Sequence, residues 1–320
     1  MRLNIFAQTF GAAVISVLAY IHLAASAKLE LSVRSLSTSQ LDSNTPVFYQ
    51  EADPNQHFCL VVGWSQNHHT EGMCMLKWLH NAPEVQTVYF IDMGISATSN
   101  AELRRAPALA NVTFIVHNPA SYMPSHAMSF ERGHAGFKPI AMQHMLKGAY
   151  FDRCDVVWWA DTSIRFSGRL RLSSAEQLPH PIWGIRAHST AFLHRQWAHP
   201  SIYTSMGVSW EHDTAVSVQS GSLAMDLRVP HARQLLHMWA ECSKDIACIM
   251  PPGASRQSIM AIVKAAGREH LYRAHRDDQT VLNLAMQQLF GVETVGRELT
   301  VYTHRLPFRI ERHDHCWWKL

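Results

Sequence analysis

Short apolar runs alternate with segments of helical spacing along the first half of the chain. The apolar runs predict strands over 58–63, 85–91, 112–116 and 155–159. The intervening segments predict helices over 71–80, 101–109 and 138–150. Strands and helices that alternate through short connections are typical of a parallel sheet covered by helices. The pattern therefore predicts an α/β fold.

The second half of the chain has a more mixed pattern. Strands are predicted over 182–187 and 215–225, helices over 230–247 and 278–289, and a terminal strand or hairpin over 292–303. The sequence contains neither an internal repeat nor an interior linker. We therefore expect one domain over 57–320.

The N-terminal segment from Leu3 to Ala27 contains no Asp, Glu, Lys or Arg. It is long enough to span a bilayer, which takes about 20 residues. Ala25-Ser26-Ala27 also matches a signal-peptide cleavage site. Residues 1–27 are thus predicted to be a membrane anchor or a cleaved signal peptide, with a buried soluble helix as a third interpretation. Either of the first two directs the rest of the chain into the secretory pathway.

Residues 28–56 are rich in small polar side chains and are predicted to be a flexible stem. With an uncleaved anchor, the protein would be a single-pass type II membrane protein of the Golgi or endoplasmic reticulum, with its domain in the lumen. With a cleaved signal, it would be secreted. The sequon Asn111-Val112-Thr113 is weak support for a lumenal domain.

Composition excludes several classes of protein. Lys and Arg total 28 and Asp and Glu total 25, a formal net charge of +3, which argues against a nucleic-acid binder. With 47% hydrophobic and 17% charged residues, the bulk of the chain is not expected to be disordered. Six cysteines suit an oxidising compartment, and the spacing of Cys242 and Cys248 predicts a local disulfide.

Polar residues follow three of the predicted strands: Gly63-Trp64-Ser65, Asp92-Met93-Gly94 and Asp161-Thr162-Ser163. In open α/β sheets, ligands bind at the carboxyl ends of the strands. If the strand after Asp155 continues as an extended segment, Asp161 and Ser163 point the same way. A divalent cation on a diphosphate would find a carboxylate and a weaker hydroxyl ligand there. The alternative is that Asp161 only forms a turn or caps a helix.

Two later segments are further candidates. Gln219-Ser220-Gly221 interrupts an apolar strand, and such a glycine marks either a bulge or the close approach of a ligand. Asp277 and Asp278 begin a predicted helix, where they would stabilise its dipole. The functional interpretation places Asp278 and Gln279 beside a bound sugar, with Asp278 as a base or a hydroxyl partner.

In order along the chain, these blocks resemble the GT-A superfamily of nucleotide-diphospho-sugar transferases. The matching blocks are Asp92-Met93-Gly94, Lys138-Pro139, Trp159-Ala160-Asp161-Thr162-Ser163, Gln219-Ser220-Gly221 and Asp278-Gln279-x-x-Leu282-Asn283. The chain is most similar to a GT-A-like family expanded in nematodes and algae, and its last block resembles glycogenin-like transferases. The resemblance covers roughly 57–305 and implies a mostly parallel central sheet flanked by helices.

The resemblance and the strand ends together give the candidate site residues. Donor-binding candidates are Gly63, Trp64, Asp92, Lys138, Asp161, Ser163, Gln219 and Gly221. Catalytic candidates are Asp278 and Gln279, and metal-ligand candidates are Asp161, Ser163 and His275. Lys138 is expected to meet the donor diphosphate. Ser163 stands where the superfamily usually has its main metal-binding carboxylate, which leaves dependence on Mn²⁺ or Mg²⁺ open.

The predicted function is that of a glycosyltransferase that moves a sugar from a nucleotide-sugar donor to a hydroxyl group on a glycan or protein acceptor. The replacement of an acid by Ser163 supports one alternative, a non-catalytic carbohydrate-binding or scaffold protein on the same frame. A hydrolase that uses Asp277 and Asp278 is a third interpretation. Adjacent residues at a helix start diverge in direction, so they form a poor catalytic pair.

Overall fold

A computed structural model describes residues 57–128, 136–166, 182–186, 194–196, 198–210, 213–215, 217–252, 254, 277–291, 295, 300–301 and 308–310. All of them lie within one compact unit, Tyr49–Leu320. The predicted anchor and stem, 1–56, lie outside the described residues. Within the described ranges, no helix is both long enough and apolar enough to span a membrane.

Nine strands and eight α-helices are described. The strands are β1 (Phe58–Trp64), β2 (Val85–Asp92), β3 (Thr113–His117), β4 (Val156–Ala160), β5 (Ile164–Phe166), β6 (Ile182–Arg186), β7 (Val218–Asp226), β8 (Thr300–Val301) and β9 (Phe308–Ile310). The helices are α1 (His69–Lys77), α2 (Ala97–Arg104), α3 (Ser125–Met128), α4 (Phe137–Lys147), α5 (Pro200–Met206), α6 (Pro230–Lys244), α7 (Ile246–Ile249) and α8 (Asp277–Phe290). Short 3₁₀ turns cover Gln66–His68, Leu79–Asn81, Pro107–Leu109, Pro119–Ser121 and His194–Gln196.

The central sheet has seven described strands in the order β3-β2-β1-β4-β7-β6-β8. Pairing is parallel from β3 to β4 and between β6 and β8, and β7 is antiparallel to both of its neighbours. Six strands therefore run the same way and β7 runs against them. This confirms the predicted α/β fold with a mostly parallel sheet. Strands β5 and β9 form a separate antiparallel pair.

Apolar cores lie on both faces of the sheet. Along β1, Leu60, Val62 and Trp64 belong to one buried cluster, whereas Cys59 and Val61 belong to the other. A strand buried on both faces needs apolar side chains at successive positions, which explains its continuous apolar run. Helix α1 packs in the first cluster, and α4, α6 and α8 pack in the second.

Two disulfides lie between described residues. Cys59 in β1 is bonded to Cys154, just before β4, and Cys242 is bonded to Cys248. The second pair confirms the predicted local bridge. Its Cα atoms are 5.3 Å apart because α6 ends at Lys244 and the chain turns directly into α7.

Some predicted boundaries were wrong for local reasons. Helix α2 begins at Ala97, earlier than the predicted 101–109, because the Ser96 hydroxyl caps it by accepting a hydrogen bond from the Ser99 N–H at 3.1 Å. Within the predicted terminal strand or hairpin 292–303, the described residues 300–301 form the short strand β8, which pairs in parallel with β6. Strand β9 lies beyond 292–303, the last element predicted from the sequence.

Candidate functional site

The carboxyl edge of the sheet brings the predicted strand ends into one region. Trp64 at the end of β1 is paired with Asp92 at the end of β2. Val61 in β1 is paired with Trp159 in β4, so the residues after β4 lie level with the end of β1. Neighbouring strands are about 4.8 Å apart, and β2 and β4 lie on either side of β1. The backbones of Asp92 and Asp161 are therefore roughly 10 Å from each other across this edge.

The segment from Asp161 to Ile164 is a turn, so the expected extended conformation was wrong. The Ile164 N–H donates a hydrogen bond to the Asp161 carbonyl at 3.0 Å, which is the bond that closes a four-residue turn. Strand β4 ends at Ala160 and β5 begins at Ile164. Alternation of side chains in a strand therefore gives no reason for Asp161 and Ser163 to point the same way. The half-buried Ser163 lies in the middle of this turn.

Lys138 lies between two carboxylates that are distant in sequence. Its Nζ is 3.0 Å and 3.1 Å from the two carboxylate oxygens of Asp161, and 3.3 Å from Oδ2 of Asp278. We call these three residues the Lys138 triad. The Lys138 side chain is 7% exposed and that of Asp278 is 10% exposed, whereas that of Asp161 is 35% exposed. Asp161 is therefore the member of the triad that an incoming ligand reaches most easily.

Electrostatics keeps Lys138 charged although it is enclosed. Burial by itself lowers the pKa of the Lys138 ammonium, but the carboxylates of Asp161 and Asp278 outweigh this effect and raise the pKa above its usual value. The ammonium also lies 5.8 Å from the centre of the Trp159 ring. Two carboxylates share one ammonium, so the triad carries an excess of negative charge when both acids are ionised.

Gly221 allows Asp161 to take its position. Strand β7 runs beside β4, and the Gly221 carbonyl accepts a hydrogen bond from the Asp161 N–H at 2.7 Å. A Cβ atom on Gly221 would lie 2.8 Å from Oδ2 of Asp161, closer than such atoms can approach. The Trp159 indole N–H holds the other oxygen, Oδ1, at 2.8 Å. The close approach expected at this glycine is thus by the chain's own carboxylate.

Helix α8 is fixed to the start of β7 by amide side chains. Asn283 accepts a hydrogen bond from the Val218 N–H at 2.7 Å and donates to the Val218 carbonyl at 2.8 Å. The buried Gln279 donates to the Ser217 hydroxyl at 2.7 Å. The Trp239 indole N–H donates to the Asp278 carbonyl at 2.8 Å. These bonds hold Asp278 beside Lys138, and they turn the Gln279 amide towards Ser217.

A buried cluster further along α8 supports the same helix. Asp213 accepts hydrogen bonds from His194 at 2.7 Å, from Gln287 at 3.1 Å and from the Tyr203 hydroxyl. Burial by itself raises the pKa of Asp213, but its hydrogen bonds and the charge of His194 lower it below the usual value. Because Gln287 belongs to α8, this cluster attaches the helix to α5 and to the segment around Asp213.

Three donor-binding candidates have structural roles of their own. Asp92 accepts hydrogen bonds from the N–H groups of Gly94 and Ile95, each at 2.9 Å, and so forms the turn after β2. Gly63 lies so close to β2 that a Cβ atom would be 2.9 Å from that of Ile91. Trp64 is fully buried in the core, with its ring against Phe90. The side chain of Trp64 is therefore left out of the site we propose.

The remaining candidates divide between the edge and the undescribed part of the chain. Gln219 is half-buried in β7, two residues before Gly221, at the same edge. His275 lies outside the described residues. The sequence did not single out Trp159, Ser217, Asn283 or Trp239 as functional residues. Asn283 did belong to the quoted Asp-Gln-x-x-Leu-Asn block and Trp159 to the quoted Trp-Ala-Asp-Thr-Ser block, which were the available signals for them.

The described side chains do not form a prepared site for Mn²⁺ or Mg²⁺. In the described part of the chain, no three His, Cys, Asp or Glu residues cluster in a way that could hold a metal ion. Both carboxylate oxygens of Asp161 already contact donors, namely Lys138 and Trp159. Ser163 contributes a neutral hydroxyl, a weak ligand for a hard cation. Lys138 is thus the cation that the described residues place against Asp161.

Asp277 makes stability depend on pH near neutrality. Burial first, and then the neighbouring Asp278 carboxylate, raises the pKa of Asp277 to about 7. The folded protein therefore keeps a proton that the unfolded chain has lost above about pH 4. We expect the free energy of unfolding to fall as pH rises from about 4 to 7, by up to about 1.4 kcal/mol per pH unit from this group.

The variant Asp277→Asn should remove that dependence. Urea unfolding at several pH values should show the variant to be more stable than the wild type at pH 8, with the difference shrinking towards pH 4. Asp152→Asn, at an exposed position, is the matched control and should follow the wild-type curve. Equal stability of Asp277→Asn and wild type at pH 8 would contradict the raised pKa.

Comparison with protein-family models and with curated proteins found no match. Among solved structures, the chain is similar to the galactosyltransferase LgtC in complex with donor and acceptor sugar analogs, with 16% identity and a TM-score of 0.41 over 82% of this chain and 92% of that one. It is similar to apo mouse xyloside xylosyltransferase 1, with 11% identity and a TM-score of 0.41 over 80% and 97%. An active-site mutant of LgtC matches with 15% identity and a TM-score of 0.39 over 80% and 88%. The fold is similar to that of these glycosyltransferases.

Proposed function

We propose that this protein is a glycosyltransferase, which moves a sugar from a nucleotide-sugar donor to a hydroxyl group of a glycan or protein acceptor. The observation that carries the proposal is the Lys138 triad at the carboxyl edge of the sheet. Carboxylates accept hydrogen bonds from hydroxyl groups and an ammonium donates them. A sugar ring presents several hydroxyls at once, so two acids around one ammonium suit it well.

The charge of the triad refines where the donor would lie. Lys138 is enclosed by two carboxylates, and their excess of negative charge disfavours a diphosphate in direct contact with it. We therefore place the sugar ring of the donor at the triad and its diphosphate beyond Asp161. This differs from the expectation that Lys138 meets the diphosphate directly.

Transfer breaks the bond between the anomeric carbon and the phosphate oxygen, and forms a bond from that carbon to the acceptor oxygen. The nucleoside diphosphate and the acceptor's proton are released. Asp278 is the proposed partner of the reacting hydroxyl, because its Oδ2 lies 3.3 Å from Lys138 Nζ and the Trp239 indole fixes its backbone carbonyl. Gln279 is proposed to position α8 through Ser217. The disulfides favour an oxidising compartment, in line with a lumenal or secreted domain.

A thermal-shift panel tests donor binding. The chain would be melted with nucleotides and nucleotide sugars, with and without Mn²⁺, beside Asp161→Ala and the exposed control Asp152→Ala. One nucleoside diphosphate and its sugar conjugates should raise the Tm of wild type and control but not of Asp161→Ala. The comparison with and without Mn²⁺ tests whether donor binding depends on the cation. A folded protein that no nucleotide stabilises would favour the carbohydrate-binding scaffold instead.

A further inference from the structure

We propose that Asn111 carries an N-linked glycan. The sequence contains the acceptor triplet Asn111-Val112-Thr113, with a middle residue other than proline. Such triplets also occur by chance, and so the structural context decides whether one can be modified. This inference does not depend on the proposed sugar transfer.

The triplet is presented to solvent where a turn leads into β3. Asn111 and Thr113 are exposed, whereas Val112 between them is half-buried against the apolar cluster that contains β1 and α1. The Val112 N–H donates to the Leu109 carbonyl at 3.3 Å, which fixes the chain where it leaves the 3₁₀ turn Pro107–Leu109. The apolar middle residue anchors the turn, and the two residues that a glycosylating enzyme must recognise stay accessible.

The disulfides are a second, independent observation. Cys59–Cys154 and Cys242–Cys248 join described residues, and Cys74 is disulfide-bonded as well. Disulfides persist in secretory and extracellular compartments and are rare in the cytosol. A chain that acquires these bonds passes through the environment in which exposed Asn-x-Thr triplets of secreted proteins are glycosylated.

The modification joins the Asn111 side-chain amide to a preassembled oligosaccharide. The amide nitrogen forms a bond with the anomeric carbon of a glycan that is carried on a lipid diphosphate. The bond from that carbon to the diphosphate oxygen breaks, the nitrogen loses one proton, and the lipid diphosphate leaves. The reaction uses no oxidant or reductant, and its co-reactant is the lipid-linked oligosaccharide.

The position of Asn111 gives the glycan a role. Strand β3 is the outermost strand of the described sheet on this side, and its residues Phe114 to Val116 are half-buried. An exposed strand edge is a site for unwanted pairing between chains. Asn111 lies just before the amino end of β3, whereas the Lys138 triad is at the carboxyl edge. A glycan here shields the strand edge and leaves the candidate site open.

The test expresses the full chain in an animal cell line and compares its mass before and after enzymatic removal of N-glycans. The variants are Asn111→Gln and Thr113→Ala, which destroy the triplet, and Thr113→Ser, which preserves it. Alkylation without reduction reports whether the disulfides have formed. Wild type and Thr113→Ser should lose the mass of one glycan, and the other two variants should not change.

A wild-type chain with formed disulfides and no glycan would overturn the inference. So would a chain whose cysteines are all free, because it would not have entered an oxidising compartment. A mass loss that persists in Asn111→Gln would also contradict it, since the glycan would then lie elsewhere. Because Thr113→Ser changes the same residue as Thr113→Ala, it separates loss of the triplet from a fault in folding.

Discussion

Lys138→Met is expected to destabilise the protein by about 3 kcal/mol and to abolish donor binding. The substitution keeps the length of the side chain but removes the charge that separates Asp161 from Asp278. Removing one partner of a buried ion pair costs about 3–5 kcal/mol because the other charge is left unpaired. We expect the lower end of that range, since the Asp161 side chain is 35% exposed and water can compensate in part.

Urea unfolding of wild type, Lys138→Met and Lys147→Met measures this effect. Lys147 is exposed at the end of the same helix, α4, so its substitution should change stability by less than about 0.5 kcal/mol. Lys138→Arg keeps the charge and should be more stable than Lys138→Met, although its planar head fits the site less well. If Lys138→Met unfolds at the same urea concentration as Lys147→Met, the triad contributes nothing to stability.

Gly221→Ala is expected to lower the rate of transfer by about 10²-fold while the protein stays folded. The added methyl group would lie 2.8 Å from the Asp161 carboxylate and must push it aside. A misplacement of about 1 Å in a positioned group is enough to cause a loss of about 10²-fold. The backbone pairing of Gly221 with Asp161 involves only main-chain atoms and can persist.

The matched control for this variant is Ser220→Ala, one residue earlier in β7 at a buried position. It loses a hydroxyl without adding an atom beside Asp161. Donor affinity by titration and kcat/KM for transfer should be reduced in Gly221→Ala and near wild type in Ser220→Ala. Equal activity of the two variants would show that Asp161 need not keep its observed position.

The strands that carry the site could be predicted because their sequence pattern is unambiguous. Strands β1, β2 and β4 are buried on both faces, which produces short apolar runs that end in polar residues. The assignment of Trp64 was less accurate. The predicted strand ended at residue 63, whereas β1 continues to Trp64, whose side chain is buried on the same face as Leu60 and Val62.

The side-chain partners within the site could not be predicted. Lys138, Asp161 and Asp278 belong to three separate elements, and the sequence gives no distance between them. A turn at Asp161 was predicted only as the alternative to an extended segment, because Asp161-Thr162-Ser163 contains neither Gly nor Pro, the residues that most strongly indicate turns. The Asp213 cluster went unnoticed for the same reason as the triad: its members His194, Tyr203 and Gln287 meet only in the folded chain.

The central claim is that the Lys138 triad holds the sugar of a nucleotide donor for transfer. Its most direct test is the release of nucleoside diphosphate from a panel of nucleotide sugars by wild type, Asp161→Asn and the control Asp152→Asn. The account predicts that wild type and control release one nucleoside diphosphate, and that Asp161→Asn releases it at least about 10²-fold more slowly. Release at the same rate by Asp161→Asn, or no release of any nucleotide by the folded wild type, would contradict it.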